Sequence, residues 1–164
     1  MGSRRIPNDK HNQGPFYVTE EGLMRLREKL AHLERILPGL VHEVTRTAAY
    51  GDRSDNAEYK DAKGTLRRTQ GSIFRIQDQL RLAVIIKEGA NASGMVELGS
   101  TVTLESDGRQ KIFQILGSHE SRPEDGRISH ESPLGAALMR HKAGDSITVQ
   151  TKNGSQEYRI LEIR

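Results

Sequence analysis

Cysteine is absent from all 164 residues, and so is tryptophan. Without cysteine there are no disulfides, no thiolate metal sites and no cysteine nucleophile, although the compartment stays only weakly constrained. Aromatic residues make up 4% of the chain, too few to line the large apolar pocket that engulfs a small-molecule cofactor. Function is expected at a surface. No apolar run approaches the roughly 20 residues of a membrane helix. The start Met1-Gly2-Ser3-Arg4-Arg5-Ile6-Pro7 has no apolar stretch of the signal-peptide kind. The cytoplasm is therefore the expected location. An apolar fraction of 34% is low for one thick core, which points to an elongated or two-part molecule. The glycines form no Gly-x-Gly-x-x-Gly or Walker loop, no serine stands in a nucleophile elbow, and His11, His32, His42, His119, His130 and His141 show no ligand spacing. The chain holds no self-sufficient active site, so an accessory role is expected rather than an enzyme.

The formal charge is +3, and it is unevenly spread. Residues 1–90 carry 16 basic and 12 acidic side chains, residues 91–164 carry 9 and 10. That bias is compatible with contact to nucleic acid or to an acidic protein. Residues 1–15 are polar, hold Pro7, Gly14 and Pro15, and read as a flexible arm. From residue 16 the organisation changes. Leu23, Leu26, Leu30, Leu33, Leu37, Leu40 and Val44 step by three and four, the seam of a coiled coil. Thr19 followed by Glu20 and Glu21 supplies a helix cap and an acidic first turn. Pro38 removes one backbone donor but the heptad phase survives it, which predicts a bend rather than an end. A second seam runs Tyr59, Ala62, Leu66, Thr69, Ile73, Ile76, Leu80 and Ala83. Only a short turn separates the two, so the helices must fold back antiparallel, each arm roughly 40–45 Å long. Residues 16–88 are thus read as a coiled-coil hairpin with its tip at 51–59.

Residues 89–94 are small and turn-forming and read as a linker. In 95–164 the period becomes two, through Val102 and Leu104, Ile112 to Leu116, Ile147 and Val149, and Tyr158, Ile160 and Ile163. Asp107-Gly108 and Asn153-Gly154 predict hairpin turns, and Ser132-Pro133 followed by Leu134 to Arg140 predicts a capped helix. The fold class is α+β: a helical hairpin followed by a small antiparallel sheet domain with one helix.

Asp52 and Asp55 stand three apart at the hairpin tip. One reading is structural: Asp55-Asn56-Ala57-Glu58 fits a capping box with Asp55 as the cap, and Asp52 after Gly51 fits a turn. The other is chemical. Two exposed carboxylates offer hard oxygens to Mg²⁺, which takes only one or two protein carboxylates. Such a pair cannot hold the ion alone, so the rod would complete a metal site belonging to a partner. Behind the tip, Lys60, Lys63, Arg67, Arg68 and Arg75 lie outside the seam, at heptad positions b, e, b, c and c. They suit either a solvated face or a nucleic-acid backbone trailing along the rod.

The segment Gly51-Asp52-Arg53-Ser54-Asp55-Asn56-Ala57-Glu58-Tyr59 closely resembles the tip of the bacterial Gre transcript-cleavage factors, the GreA/GreB family, where it reads Gly-Asp-x-Ser-Glu-Asn-Ala-Glu-Tyr. The tail segment from Ile128 to Leu138, with Ser132-Pro133-Leu134 at its centre, followed by Ala143-Gly144-Asp145, resembles a second stretch of that family. The resemblance spans residues 16–164. It implies an FKBP-like C-terminal domain that docks at the rim of the RNA polymerase secondary channel while the rod enters it. It also implies tip acids that help hold the polymerase's second Mg²⁺ and its attacking water, so that backtracked RNA is cut and its 3′ end realigned. By position, Asp52 and Asp55 inherit the metal role with Ser54 beside them. Lys60, Lys63, Arg67 and Arg68 fall on or beside the basic patch that meets the extruded RNA, and Ser132, Pro133 and Leu134 fall in the docking segment. A monomer is expected.

One position departs from the pattern. Asp55 stands where the family usually has glutamate, and it is shorter by about 1.5 Å. A reading in which the chain occupies the channel and inhibits or competes, without stimulating cleavage, therefore stays open. The basic second helix leans toward the GreB type. A prolyl isomerase tail is disfavoured because its pocket would have only Phe113 and Tyr158 to line it.

Overall fold

The structure, a computed structural model, describes residues 14–49, 56–89, 93–151 and 154–164. A three-residue strand β1 (Phe16–Val18) leads into helix α1 (Glu20–Ala48). Helix α2 (Ala57–Arg81) returns to a strand β2 (Ala83–Ile85). The helices pack along their length as an antiparallel pair, with Gln77 reaching Glu34 (3.3 Å) toward the base and Asn56 reaching the Thr47 carbonyl (2.9 Å) toward the tip. Burial follows the two seams. Every seam position from Leu23 to Val44 is buried or half-buried, and the positions between them are exposed apart from Glu43. In α2 the seam is most deeply covered at Thr69, Ile73 and Ile76. Helix α1 runs through Pro38 without interruption, because the loss of one backbone bond is small beside seam burial along the whole rod.

The base of the hairpin holds an element absent from the sequence reading. β1 and β2 pair in parallel, Phe16 with Ala83, Tyr17 with Val84 and Val18 with Ile85. Ala83 therefore belongs to a strand and not to the helical seam it continues in phase. The helix stops at Arg81 because the Leu82 carbonyl accepts from the Phe16 amide (2.9 Å), a partner far away in sequence.

The second half is a five-stranded, mostly antiparallel sheet. Its strands are β3 (Thr101–Ser106), β4 (Arg109–Leu116), β5 (Arg127–Ser129), β6 (Ser146–Thr151) and β7 (Gly154–Ile163), in the order β5-β4-β3-β7-β6. The expected antiparallel pairing holds for β3–β4, β3–β7 and β6–β7, while β5 joins β4 in parallel at the edge. Strand β5, three residues long, was not anticipated. The β3–β4 turn is Asp107-Gly108 as expected, both residues at positive φ (52° and 70°), the requirement of a type I′ hairpin. Residues 152–153 of the second expected turn lie outside the described residues, and the flanking register pairs Thr151 with Gly154. Helix α3 (Pro133–Leu138) lies against β5 and β6. It is shorter than read from sequence, ending before Met139, whose ψ of 134° leaves the helix. The core consists of Val96, Val102, Leu104, Ile115, Ile128, Leu138, Ile147, Val149 and Ile160. Among the described residues, no helix is long and apolar enough to cross a membrane.

Candidate functional site

The tip candidates Asp52, Ser54 and Asp55 lie outside the described residues, and so does part of the 89–94 segment. What surrounds the tip is described. Asn56, rather than Asp55, is the cap of α2: its side chain accepts from the Tyr59 amide at 3.0 Å. The same side chain donates to the Thr47 carbonyl at 2.9 Å. Asparagine caps a helix as well as aspartate does, and it alone of the two can donate, so one amide serves both helices. The structural reading of Asp55 as the capping residue is thereby corrected.

Arg46 organises the acids below the tip. It binds the Glu43 carboxylate at 2.6 Å and lies 3.8 Å from Glu58 on the other helix. The hydrogen bond from Arg46 holds the Glu43 carboxyl below its usual value, with lesser help from the charges of Arg46 and His42. Thr47, almost wholly buried, returns its hydroxyl to the Glu43 carbonyl (2.9 Å).

The four basic candidates are all exposed, and none pairs with a carboxylate among the described residues. Their helical positions divide them. At 100° per residue, Lys60, Lys63 and Arg67 fall within an arc of about 60°, whereas Arg68 turns about 100° away from Arg67. Lys63 sits 5.6 Å over the Tyr59 ring. Arg68 is held along the other flank by Thr65 (2.9 Å), and one heptad on Arg75 is held by Ser72 (3.3 Å). The basic surface is two stripes, not one patch.

In the docking segment the three named residues have different duties. Ser132 caps α3, accepting from the Gly135 amide (3.1 Å) and donating to the Ser129 carbonyl (2.7 Å). Leu134 packs on the sheet core, and Pro133 is exposed. Gly135 is required there, since a Cβ would lie 2.0 Å from the Ser129 carbonyl oxygen. Between the segment and the base of the hairpin lies a cleft of about 250 Å³, walled by Tyr17, Arg75, Leu82, His119, His130 and Glu131.

The chain's sequence matches the model of the N-terminal domain of transcription elongation factors over residues 16–85, and that of the GreA/GreB C-terminal domain over 91–164. It is 38% identical over 153 residues to transcription elongation factor GreA of Chloroflexus aggregans, covering 92% of this chain and 98% of the relative.

The chain belongs to the GreA/GreB family of transcription elongation factors.

The GreA of Thermomicrobium roseum is 35% identical over 166 residues, covering both chains in full. Both relatives carry the GreA name. Among solved structures, GreA factor homolog 1 of Thermus thermophilus aligns over 90% of this chain and 97% of its own at 28% identity, with a TM-score of 0.41.

Sequence reasoning missed Asn56 as the bridge of the hairpin, Arg46 as the counter-ion of Glu43 and Glu58, and Glu120 at the joint between the two halves. The Thr-Glu-Glu-Gly start of α1, in which the third helical position has no side chain to complete a capping box, was the available signal for the last.

Proposed function

We propose that this chain is an accessory factor, not itself an enzyme, which enters the secondary channel of RNA polymerase and stimulates cleavage of backtracked RNA by the polymerase. The observation that carries the reading is the antiparallel two-helix rod, whose second helix begins at Ala57 directly after the sequence Gly51 to Asn56. Helix α1 alone, 29 residues long, spans about 42 Å, and its seam burial makes it stiff.

Asp52 and Asp55 would hold a Mg²⁺ ion shared with the polymerase. They fit it in kind, as hard oxygen donors, and not in number. Two carboxylates are too few to hold the ion alone, so the remaining donors would come from the partner. When bound, the ion supplies charge stabilisation and an activated water. Ser54 lies between the two acids in sequence. Lys60, Lys63 and Arg67, which pair with no carboxylate among the described residues, would hold the phosphates of the extruded RNA 3′ end along one flank, with Arg68 on the other stripe. Pro133, exposed at the start of α3 beside Ser132 and Leu134, would meet the channel rim. The factor would act as a cytoplasmic monomer.

A second reading keeps the binding and removes the chemistry. It is favoured by Asp55, whose carboxylate stops about one methylene short of glutamate's. The deciding experiment follows RNA release from purified backtracked complexes with wild type and Asp52→Asn at several Mg²⁺ concentrations. Cleavage stimulated by wild type and lost in Asp52→Asn supports the proposal, while binding without stimulation by wild type selects the inhibitory reading.

A further inference from the structure

Helix α1 begins with an incomplete cap. Thr19 accepts from the Gly22 amide (3.0 Å) through its hydroxyl, one half of a capping box. The other half is normally a glutamate at the third helical position that binds the cap residue's own amide. Here that position is Gly22, and the carboxylate comes from the other domain. Glu120 Oε2 accepts from the Thr19 amide and Oε1 from the Thr19 hydroxyl, both at 2.7 Å. Its side chain is only 7% exposed, and Oε1 also receives Arg25 Nη2 at 3.3 Å, with Arg127 Nη2 at 3.7 Å. The seat is filled to contact, because a Cβ on Gly22 would lie 2.3 Å from Glu120 Oε1.

We propose that Glu120 is a positioning residue: by completing the α1 cap from the docking domain, it fixes the direction in which the rod points. The inference rests on the proposed cleavage function for its consequence, though not for its geometry. Two ring contacts across the joint, Phe16 with His119 (centroids 4.8 Å apart) and Tyr17 with His130 (5.4 Å), reach β1, and the Gly89 amide donates to the Gly99 carbonyl (3.4 Å) beyond β2. Glu120 touches the helix itself, at Thr19 and again at Arg25, more than one turn on. Two points on a rod define its angle. The lever is long: a tilt of about 2° at the base moves the far end of a 42 Å helix by about 1.5 Å. A misplacement of about 1 Å at a reacting centre can cost on the order of a hundredfold in rate. Angular control at Thr19 therefore governs chemistry at the tip without contact with it.

The absence of cysteine gives a clean measurement. Ala57→Cys near the tip and Thr148→Cys on β6, both exposed positions, take a pair of spin labels in the full chain, and their distance distribution reports the joint. Wild type should give one narrow distribution. Glu120→Ala, which removes the carboxylate, and Gly22→Ala, which fills its seat, should both broaden it. Glu120→Gln can still accept from the Thr19 amide and donate to its hydroxyl, so it should restore most of the narrow form. In cleavage of backtracked complexes at saturating factor, Glu120→Ala should lose about tenfold or more in rate with affinity changed less than about threefold, and Glu120→Gln should recover. Helical circular dichroism of each variant confirms that the rod is intact. If folded Glu120→Ala keeps the wild-type distribution, the proposal is overturned. Should wild type stimulate no cleavage, the functional reading fails, while the spin-label comparison still decides the joint.

Discussion

The Asn56 side-chain amide donates to the Thr47 carbonyl at 2.9 Å, joining the first turn of α2 to the last turn of α1. Because the same side chain caps α2 through the Tyr59 amide, its two functions separate by substitution. Asn56→Asp keeps the cap and loses the donor, and should cost about 0.5–1.5 kcal/mol. Asn56→Ala loses both and should cost about 1–2 kcal/mol. Urea denaturation of the full chain measures each. An aspartate variant as stable as wild type would show that the bridge contributes nothing.

At the tip, the sequence sets an asymmetric expectation. Asp52→Asn should abolish stimulated RNA release while leaving polymerase binding intact, since it removes a ligand charge and little volume. Asp55→Glu should raise the rate if reach is limiting, since it extends the carboxylate by about 1.5 Å. An unchanged rate in Asp55→Glu across a Mg²⁺ titration would exclude reach as the limit.

The division of the basic surface predicts that neighbouring arginines differ. Replacing Arg67 with alanine should lower the slope of log affinity against log salt by about 0.7, the value for one phosphate contact on a single strand. Arg68→Ala, about 100° around the helix, should change it less. The measurement is factor binding to backtracked complexes at several salt concentrations. Equal slopes for the two variants would place both stripes, or neither, on the RNA.

In the sheet domain, Leu138 is fully buried among the residues of the core. Leu138→Ala should destabilise by about 2–5 kcal/mol. Met24, 59% exposed on α1, should tolerate alanine within about 0.5 kcal/mol. Denaturation midpoints of the two variants give the comparison.

Acid sensitivity has an identifiable contributor in Asp145. Its carboxylate accepts from the Lys142 amide (2.8 Å) and lies 3.2 Å from His141 Nδ1. The Lys142 hydrogen bond, then that of His141, hold it below the usual aspartate value. A folded-state pKa below the unfolded one means stability that is complete above the unfolded value and lost as pH falls through the folded one. Asp145→Asn should therefore be less stable than wild type near neutrality, with the difference shrinking toward acid. Melting temperatures across that range test this, and a pH-independent difference would contradict it.

The long-period features of this fold are readable in sequence because burial enforces them. Leu23 to Val44 and Tyr59 to Leu80 repeat on one face, and the alternation of Val102 and Leu104 or of Ile147 and Val149 belongs to a half-covered sheet. The misreadings are short or non-local. Ala83 keeps helical phase, yet its backbone is captured by β1, and three-residue strands such as Arg127–Ser129 are too brief to show a period. Asn56 escaped because Asp55 next to it offers the same capping chemistry. Gly22 shows in sequence that the α1 cap lacks its carboxylate, but nothing in either local sequence names Glu120, 101 positions away, as the residue that supplies it.

Strands Phe16–Val18 and Ala83–Ile85 lie side by side and run in the same direction, so the chain leaves the pair beside Ile85 and re-enters it beside Phe16, and everything from Thr19 to Leu82 is an insertion anchored at the two ends of one three-residue ladder. The molecule is thereby modular in length. Deleting one seven-residue repeat from each arm shortens the projection by about 10.5 Å and leaves the strand pair, the α1 cap and the sheet domain as they are. Reach and anchorage can thus be retuned separately, and a finger of another length or with another end can be grafted onto the same base.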